Sequence, residues 1–242
     1  MRILITNDDS ITASQLLPLV RFCQTIGDVT VVVPKVEQSG KSHGIDIHDP
    51  FRVHNIALAD DITALAVEST PADCVRFAIL GLGMEFDLVI SGVNRGYNIG
   101  SDILYSGTVS AACEGVLLGV PAIALSTSFE NYKNATQNLA DVFNYFKEHK
   151  LLDVHNAYNV NIPPSPLGVR ITHQGGPYYS DSFPPTDEEG MYIASGKCVH
   201  VNGGDLTLDT DAVISGYISI MPLTINRTDW TIYNHLNNLN AD

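Results

Sequence analysis

Residues suited to holding a hard cation and an anion occur at three places in this chain, each just after an apolar run. Asn7, Asp8 and Asp9 come first, then Gln38-Ser39-Gly40-Lys41-Ser42, then Gly92 to Asp102, where Asn94, Gly96, Asn98 and Gly100 alternate with other residues. Two adjacent carboxylates at the end of a buried strand repel each other and lose solvation, so they require a cation or donors close by. The simpler alternative is that one of them caps the following helix. Carboxylate, hydroxyl and amide oxygens suit Mg²⁺ or Mn²⁺ and a phosphate better than they suit zinc. Asn94 and Asn98 flank Gly96, so backbone and two amides can approach a small ligand without steric cost. Tyr105-Ser106-Gly107-Thr108 precedes an apolar helical run. There the free N–H groups of Ser106, Gly107 and Thr108, with two hydroxyls, make a phosphate cradle, and either hydroxyl also serves as a helix cap. Asp102 reads as a capping acid in preference to a group that orients water.

Other chemistries fit less well. Gly40-Lys41-Ser42 resembles the end of a phosphate-binding P-loop, but Lys35 stands where the first glycine of Gly-x-x-x-x-Gly-Lys-Ser belongs. A hydroxyl from Ser39 reaching a metal, with Gly40 allowing close backbone approach, is the better reading. The eight histidines form no His-x-x-x-His pair, and serine-hydrolase chemistry is disfavoured. A phosphatase that forms an aspartyl-phosphate needs Asp-x-Asp after its first strand, and the chain has Asn7-Asp8-Asp9 instead.

These loops need a scaffold that brings them together. Short β-branched runs at Arg2 to Thr6, Val29 to Val33, Ala64 to Val67, Asp87 to Ser91, Ala122 to Ser126 and Tyr158 to Asn161 read as strands. Apolar residues at helical spacing read as helices over Ala13 to Gln24, Pro71 to Leu80, Thr108 to Leu118 and Thr136 to Glu148. Thr70-Pro71-Ala72-Asp73 is a helix start, with Thr70 as cap and proline in the first turn. The alternation predicts an α/β fold: a Rossmann-like, mostly parallel sheet with helices on both faces. In such a sheet ligands bind beyond the carboxyl ends of the strands, so the three loops converge on one edge. From Pro163 to Asp205 proline, glycine, tyrosine and acidic residues predict loops and hairpins, an appendage suited to oligomer contacts or a lid. Val213 to Leu223 then reads as a returning β segment and Trp230 to Leu239 as a terminal helix. The expected organisation is a metal-binding catalytic core over 1–162 and an oligomerisation region over 163–242, within one domain.

Composition narrows the partners. The 242 residues carry a net charge of −14, which repels a nucleic-acid backbone, so polymeric nucleic acid is not expected. No run approaches the roughly 20 apolar residues of a membrane helix. Cys23, Cys74, Cys113 and Cys198 are far apart and form no Cys-x-x-Cys pair, which fits a reducing cytoplasm. Such an acidic chain draws in a small phosphate only through a local cation or oriented N–H groups.

The order of motifs resembles the SurE survival-protein nucleotidases. Members open with a strand ending in Asn-Asp-Asp-Gly, followed by Ser-Gly-x-Ser, Thr-Pro-x-Asp-Cys-Val, Ser-Gly-x-Asn-x-Gly-x-Asn-x-Gly and Tyr-Ser-Gly-Thr-Val-x-Ala-Ala-x-Glu-Gly. This chain has Asn7-Asp8-Asp9-Ser10, Ser39-Gly40-Lys41-Ser42, Thr70 to Val75, Ser91 to Gly100 and Tyr105 to Gly115 in the same order, then Asn159-Val160-Asn161-Ile162-Pro163. The resemblance implies one divalent ion per subunit, Mg or Mn, held by Asp8, Asp9, Ser39 and Asn94. It also implies catalytic roles for Asp8, Asp9 and Asn98, and a phosphate site formed by Gly40, Asn94, Asn98, Ser106, Gly107 and Thr108. The implied activity is hydrolysis of nucleoside monophosphates, with 3′-nucleotides, other phosphoesters and polyphosphate as further substrates, in homodimers or homotetramers. Ser10 departs from the usual glycine and Thr12-Ala13-Ser14 lacks the usual Pro-Gly; both changes bear on the loop behind the carboxylates. A P-loop kinase and a non-catalytic nucleotide or metal sensor are the alternatives.

Overall fold

The computed structural model describes residues 1–237 and residue 239. The chain runs Arg2–Thr6 (β1), Leu16–Cys23 (α1), Asp28–Pro34 (β2), Val53–Ala59 (β3), Ile62–Val67 (β4), Pro71–Arg76 (α2), Leu88–Arg95 (β5), Gly107–Leu117 (α3), Ala122–Thr127 (β6) and Leu139–Glu148 (α4). It continues through Leu151–Val154 (α5), Ala157–Ile162 (β7), Val169–Ile171 (β8), Tyr179–Ser182 (β9), Ser195–Cys198 (β10), Asp209–Ile214 (α6), Ile218–Pro222 (β11) and Trp230–Asn237 (α7). Among the described residues one nine-stranded sheet has the order β3-β4-β2-β1-β5-β6-β7-β11-β8, and β9 and β10 form a separate hairpin. The strands from β4 through β7 are parallel, while β3 and β11 run against their neighbours β4 and β7. From β1 the chain moves to β2 and β4 on one side and returns to β5 on the other. This topological switch opens a crevice beyond the carboxyl ends of β1 and β5.

Period-two alternation decides what each face of β1 buries. Ile3 and Ile5 pack with Leu16, Leu19 and Val20 of α1 and with Leu139, Val142 and Phe146 of α4. Leu4, on the other face, packs with Cys74 and Val75 of α2 and Val109, Ala112 and Val116 of α3. With helices on both faces, β6 and β7 are buried at every residue, as a doubly covered parallel sheet requires. Caps fix the helix starts as the sequence predicts: the Thr70 hydroxyl accepts from Asp73 N at 3.1 Å and Ser106 Oγ accepts from Val109 N at 3.1 Å.

Several expectations need correction. β3 was not anticipated: its residues are half-buried or exposed at the edge of the sheet, so no buried alternation marks it. Val213 to Leu223 is not one β segment, because α6 runs to Ile214 and Gly216, at φ +88°, turns the chain before β11 starts at Ile218. The first helix begins at Leu16 rather than Ala13, after turns that follow Ser10, and the fourth at Leu139 rather than Thr136. The second helix changes at Phe77 into a wider π turn reaching Gly81. The terminal helix occupies Trp230–Asn237; residue 238 of the expected span lies outside the described residues. Asp102 is not a cap: its Oδ2 accepts the backbone N–H groups of Tyr178 and Tyr179, at 3.0 and 2.8 Å, and so ties the hairpin-bearing excursion to the sheet edge.

Candidate active site

Asp8 and Asp9 stand just beyond β1, at the switch in strand order. Asp8 is buried, and its Oδ1 accepts the Thr108 hydroxyl at 2.5 Å while its Oδ2 accepts the Thr108 N–H at 3.2 Å. The carboxylate therefore sits at the start of α3, where the helix dipole favours negative charge. Gly107 permits this contact, since a Cβ there would lie 3.0 Å from both Cβ and Oδ2 of Asp8. Burial still prevails over the Thr108 hydrogen bonds and pushes the Asp8 carboxyl up to about 6. Asp9 is raised as well, chiefly by burial, against the hydrogen bond from Arg95 N–H and with help from the nearby Glu37 charge. Its Oδ2 accepts Arg95 N at 2.9 Å and the Tyr132 hydroxyl at 3.4 Å.

The other two loops are tied to this pair. Gln38 N–H donates to the Asp8 carbonyl at 2.8 Å, which brings the turn after β2 under the carboxylates. Within it the Ser39 hydroxyl donates to Glu37 Oε1 at 2.7 Å, leaving its lone pairs for another partner, and Gly40 has φ +70°. The chain then leads to β3, not into a helix. A P-loop requires a helix start directly behind Gly-Lys-Ser, so the kinase alternative loses its structural basis. Within β5, which runs on past the expected end at Ser91, Gly92 at φ +136° has no room for a Cβ, which would lie 2.3 Å from the Leu125 carbonyl. The pairing of β5 with β6 shifts register between Ser91 and Asn94 here. Asn94 Nδ2 donates to the Gly96 carbonyl at 2.8 Å, which leaves its Oδ1 as the end available to a ligand. Asn98 is clamped: its N–H donates to Asn161 Oδ1, its carbonyl accepts from Asn159 and Asn161 Nδ2, and its own Nδ2 donates to Ser126 Oγ, each at 2.8 Å. Ser106 spends its acceptor on the helix cap and Thr108 its hydroxyl on Asp8, so of the three cradle residues Gly107 keeps its N–H uncommitted by either bond.

Whether these residues suit a hard cation can be judged from unmet polar demand. The buried side-chain atoms without a hydrogen-bond partner include, among the described residues, Thr6 Oγ1 and Asn7 Oδ1 at the carboxyl end of β1 and Ser91 Oγ, which β5 sets opposite Thr6. Together with two desolvated carboxylates they form an oxygen-rich, electron-rich centre that a cation would relieve. No three His, Cys, Asp or Glu side chains gather as a metal cluster among the described residues. Alcohol and amide oxygens would therefore have to complete the set begun by Asp8 and Asp9. Sequence reasoning missed Glu37, Tyr132, Ser126 and Asn161. The signal for Asn161 was its place at the end of a buried strand; nothing local marks Tyr132, which lies 123 residues from Asp9.

A cavity of about 570 Å³ opens beside Asp9, lined also by Glu37, Arg95, Phe129, Tyr132 and Lys133. A larger groove of about 760 Å³ runs along α3 past Leu117 to Met221, but neither carboxylate lines it. Of the candidate site residues, Asp9 alone lines the first cavity and none lines the second.

Comparisons with known proteins bear on this geometry. The family model described as "Survival protein SurE" matches residues 3–181. A 5′-nucleotidase SurE from Thermosipho melanesiensis is 38% identical over 240 residues, covering 95% of this chain and 93% of that protein. One from Alkaliphilus metalliredigens is 37% identical over the whole of both chains. The crystal structure of the SurE protein from Aquifex aeolicus superposes with a TM-score of 0.74 at 29% identity, covering 99% of this chain and all of that one.

Proposed function

This chain belongs to the SurE survival-protein family, and from that premise we propose that it is a metal-dependent 5′-nucleotidase. The observation that carries this is the meeting of two desolvated carboxylates, a serine turn and an asparagine loop at the switch point of the sheet. Asp8, Asp9, Ser39 and Asn94 would hold one Mg²⁺ or Mn²⁺, which when bound supplies Lewis-acid polarisation and offsets the charge of a phosphate. Thr108 and the first turn of α3 fix Asp8, and the Arg95 N–H fixes Asp9. The second N–H of the Asn98 amide and the Gly107 N–H hold phosphate oxygens, with Ser106 and Gly40 shaping the approach. Only Asp9 of the two carboxylates lines the cavity, so it is the one placed to take a proton from an attacking water, while Asp8 is sealed against Thr108. The substrate is a small phosphoester, with 3′-nucleotides and polyphosphate as secondary substrates. The region 163–242 joins copies into a homodimer or homotetramer in the cytoplasm. No helix among the described residues is long and apolar enough to cross a membrane.

The test is phosphate release from nucleoside 5′- and 3′-monophosphates and polyphosphate with Mg²⁺, Mn²⁺ or a chelator. Metal-dependent release from 5′-monophosphates is expected. Asp8→Asn and Asp9→Asn should each lower kcat on the order of a thousand-fold, the scale of losing one charge-stabilising group from a transition state, with the fold retained. Nucleotide binding without release would instead favour a sensor.

A further inference from the structure

The nucleotidase reading leaves open how the enzyme recognises the part of its substrate that does not react. Phe129, just after β6, is 56% exposed although it is a large apolar ring, and it is held in a fixed place. Gly96, at φ +119°, lies so close that a Cβ there would come within 2.9 Å of the Phe129 ring, and the Arg95 guanidinium carbon stands 5.7 Å from the ring centre. The loop that carries Asn94 and Asn98 therefore supports the ring from one side. Behind it the turn is fixed by Asn131 N–H donating to Ser128 Oγ at 3.1 Å. An exposed ring braced in this way presents a flat apolar surface at little further cost in order.

The ring is also in the right place. Phe129 and Asp9 line the same cavity of about 570 Å³, a volume typical of small-molecule sites. Tyr132, Thr12, Ser14, Glu37, Arg95 and Lys133 are among its other walls. A lining of two aromatic rings, of which Phe129 is the exposed one and Tyr132 is tied to Asp9, with hydroxyls and charges of both signs, matches a molecule that is flat at one end and rich in hydroxyls in the middle. We propose that this cavity is the nucleoside subsite and that the substrate's base stacks on Phe129 while its phosphate lies toward Asp9. The ring thereby selects nucleotides over other phosphoesters, so Phe129 is a specificity residue of the nucleotidase proposed above and rests on that reading.

The experiment compares kcat/KM for a nucleoside 5′-monophosphate with kcat/KM for glycerol phosphate, in Mn²⁺, for the wild type and for Phe129→Ala, Phe129→Leu and Phe129→Trp. The ratio of the two should fall about five- to a hundred-fold in the alanine and leucine variants, the range expected for one lost base–aromatic stack. It should be retained in the tryptophan variant, which keeps a flat ring. The leucine variant keeps bulk over Gly96 and carries the test alone if the alanine variant fails to fold. A ratio within about twofold of wild type in the leucine variant overturns the subsite, because stacking is worth more than that. A wild type that hydrolyses glycerol phosphate but no nucleotide overturns the subsite and leaves a phosphatase. A wild type that releases phosphate from neither ester overturns the nucleotidase reading and the subsite with it.

Discussion

Ser10 adopts φ +77°, a left-handed conformation that costs a residue with a Cβ roughly 1–2 kcal/mol. A glycine would avoid that strain, yet it would add unfolded-state entropy costing about 0.5–1 kcal/mol and would lose what the serine side chain contributes. Ser10 Oγ lies 3.0 Å from Thr12 Oγ1 and accepts Thr12 N–H at 3.3 Å, and the Ser10 carbonyl accepts Asn7 Nδ2 at 3.0 Å. The hydroxyl thus makes in hydrogen bonds much of what glycine would give in freedom. Ser10→Gly should therefore stay within about 0.5 kcal/mol of wild type, while Ser10→Ala, which keeps the strain and loses the bonds, should cost about 1 kcal/mol in denaturant unfolding. An alanine variant as stable as wild type would show that the hydroxyl contributes nothing. At this scale the sequence is legible where chemistry-bearing residues stand at or just past the ends of buried strands, as Asn94 near the end of β5 and Asp8 and Asp9 after β1 do. Tyr132 and Glu37 were not legible, because their roles come from which distant carboxylate or turn the fold sets beside them.

Among the elements, the least regular one carries Ser39 and Gly40, and it is held by its neighbours. Between β2 and β3 the loop is pinned where Ser42 Oγ donates to the Leu104 carbonyl at 2.6 Å, and again where Asp46 N–H donates to Asp73 Oδ2 at 2.8 Å. A third pin is electrostatic: Glu114 on α3, its side chain 5% exposed, meets His43 Nε2 at 2.7 Å and Arg76 Nη1 of α2 at 2.8 Å. Burial pushes the Glu114 carboxyl up, but the bonds from His43 and Arg76 win and hold it below the usual range. A carboxyl with a depressed folded pKa contributes stability above its unfolded pKa, near 4.5, and loses that contribution as pH falls through the folded value. Glu114→Ala should cost about 3 kcal/mol at pH 7, the scale of breaking a buried pair. The gap from wild type should narrow as pH drops below about 4.5, where the unfolded chain takes up a proton on Glu114 that the folded protein still resists. Urea unfolding of both proteins at pH 7 and pH 4 checks this; a gap that does not change with pH rules out the charge as its source. Buried parallel strands and capped helices were legible because periodicity and caps are local signals. The edge strand β3 and the three-residue β8 were not, since one has no buried face to set an alternation and the other is too short to show a period. The merged segment at Val213 hid a helix because apolar residues of α6 run on toward β11, although Gly216 between them marked the break.

For the whole molecule the question is what covers the surface that the fold leaves bare. Both strands of the hairpin are exposed at every residue, and around it Phe183, Tyr192 and Ile193 are 68%, 66% and 59% exposed. Helix α7 buries none of its residues and presents Trp230, Ile232, Tyr233 and Leu236. Solvent-facing apolar groups on this scale mark association sites. Each chain also carries a charge of −14, so copies repel at long range, and the homo-oligomer proposed above would have to form through apolar contact at short range. Two consequences separate this from a charge-driven interface. Raising ionic strength from about 0.01 M to 0.15 M, which shortens the screening length from about 30 Å to 8 Å, should strengthen assembly. Phe183→Asp combined with Ile193→Asp should shift the species seen by analytical ultracentrifugation toward the 26.2 kDa monomer, because each substitution would place an unpaired charge in an apolar contact. A wild type that sediments as a monomer at every ionic strength, or a double variant that keeps its mass, would separate the bare hairpin from any role in joining copies.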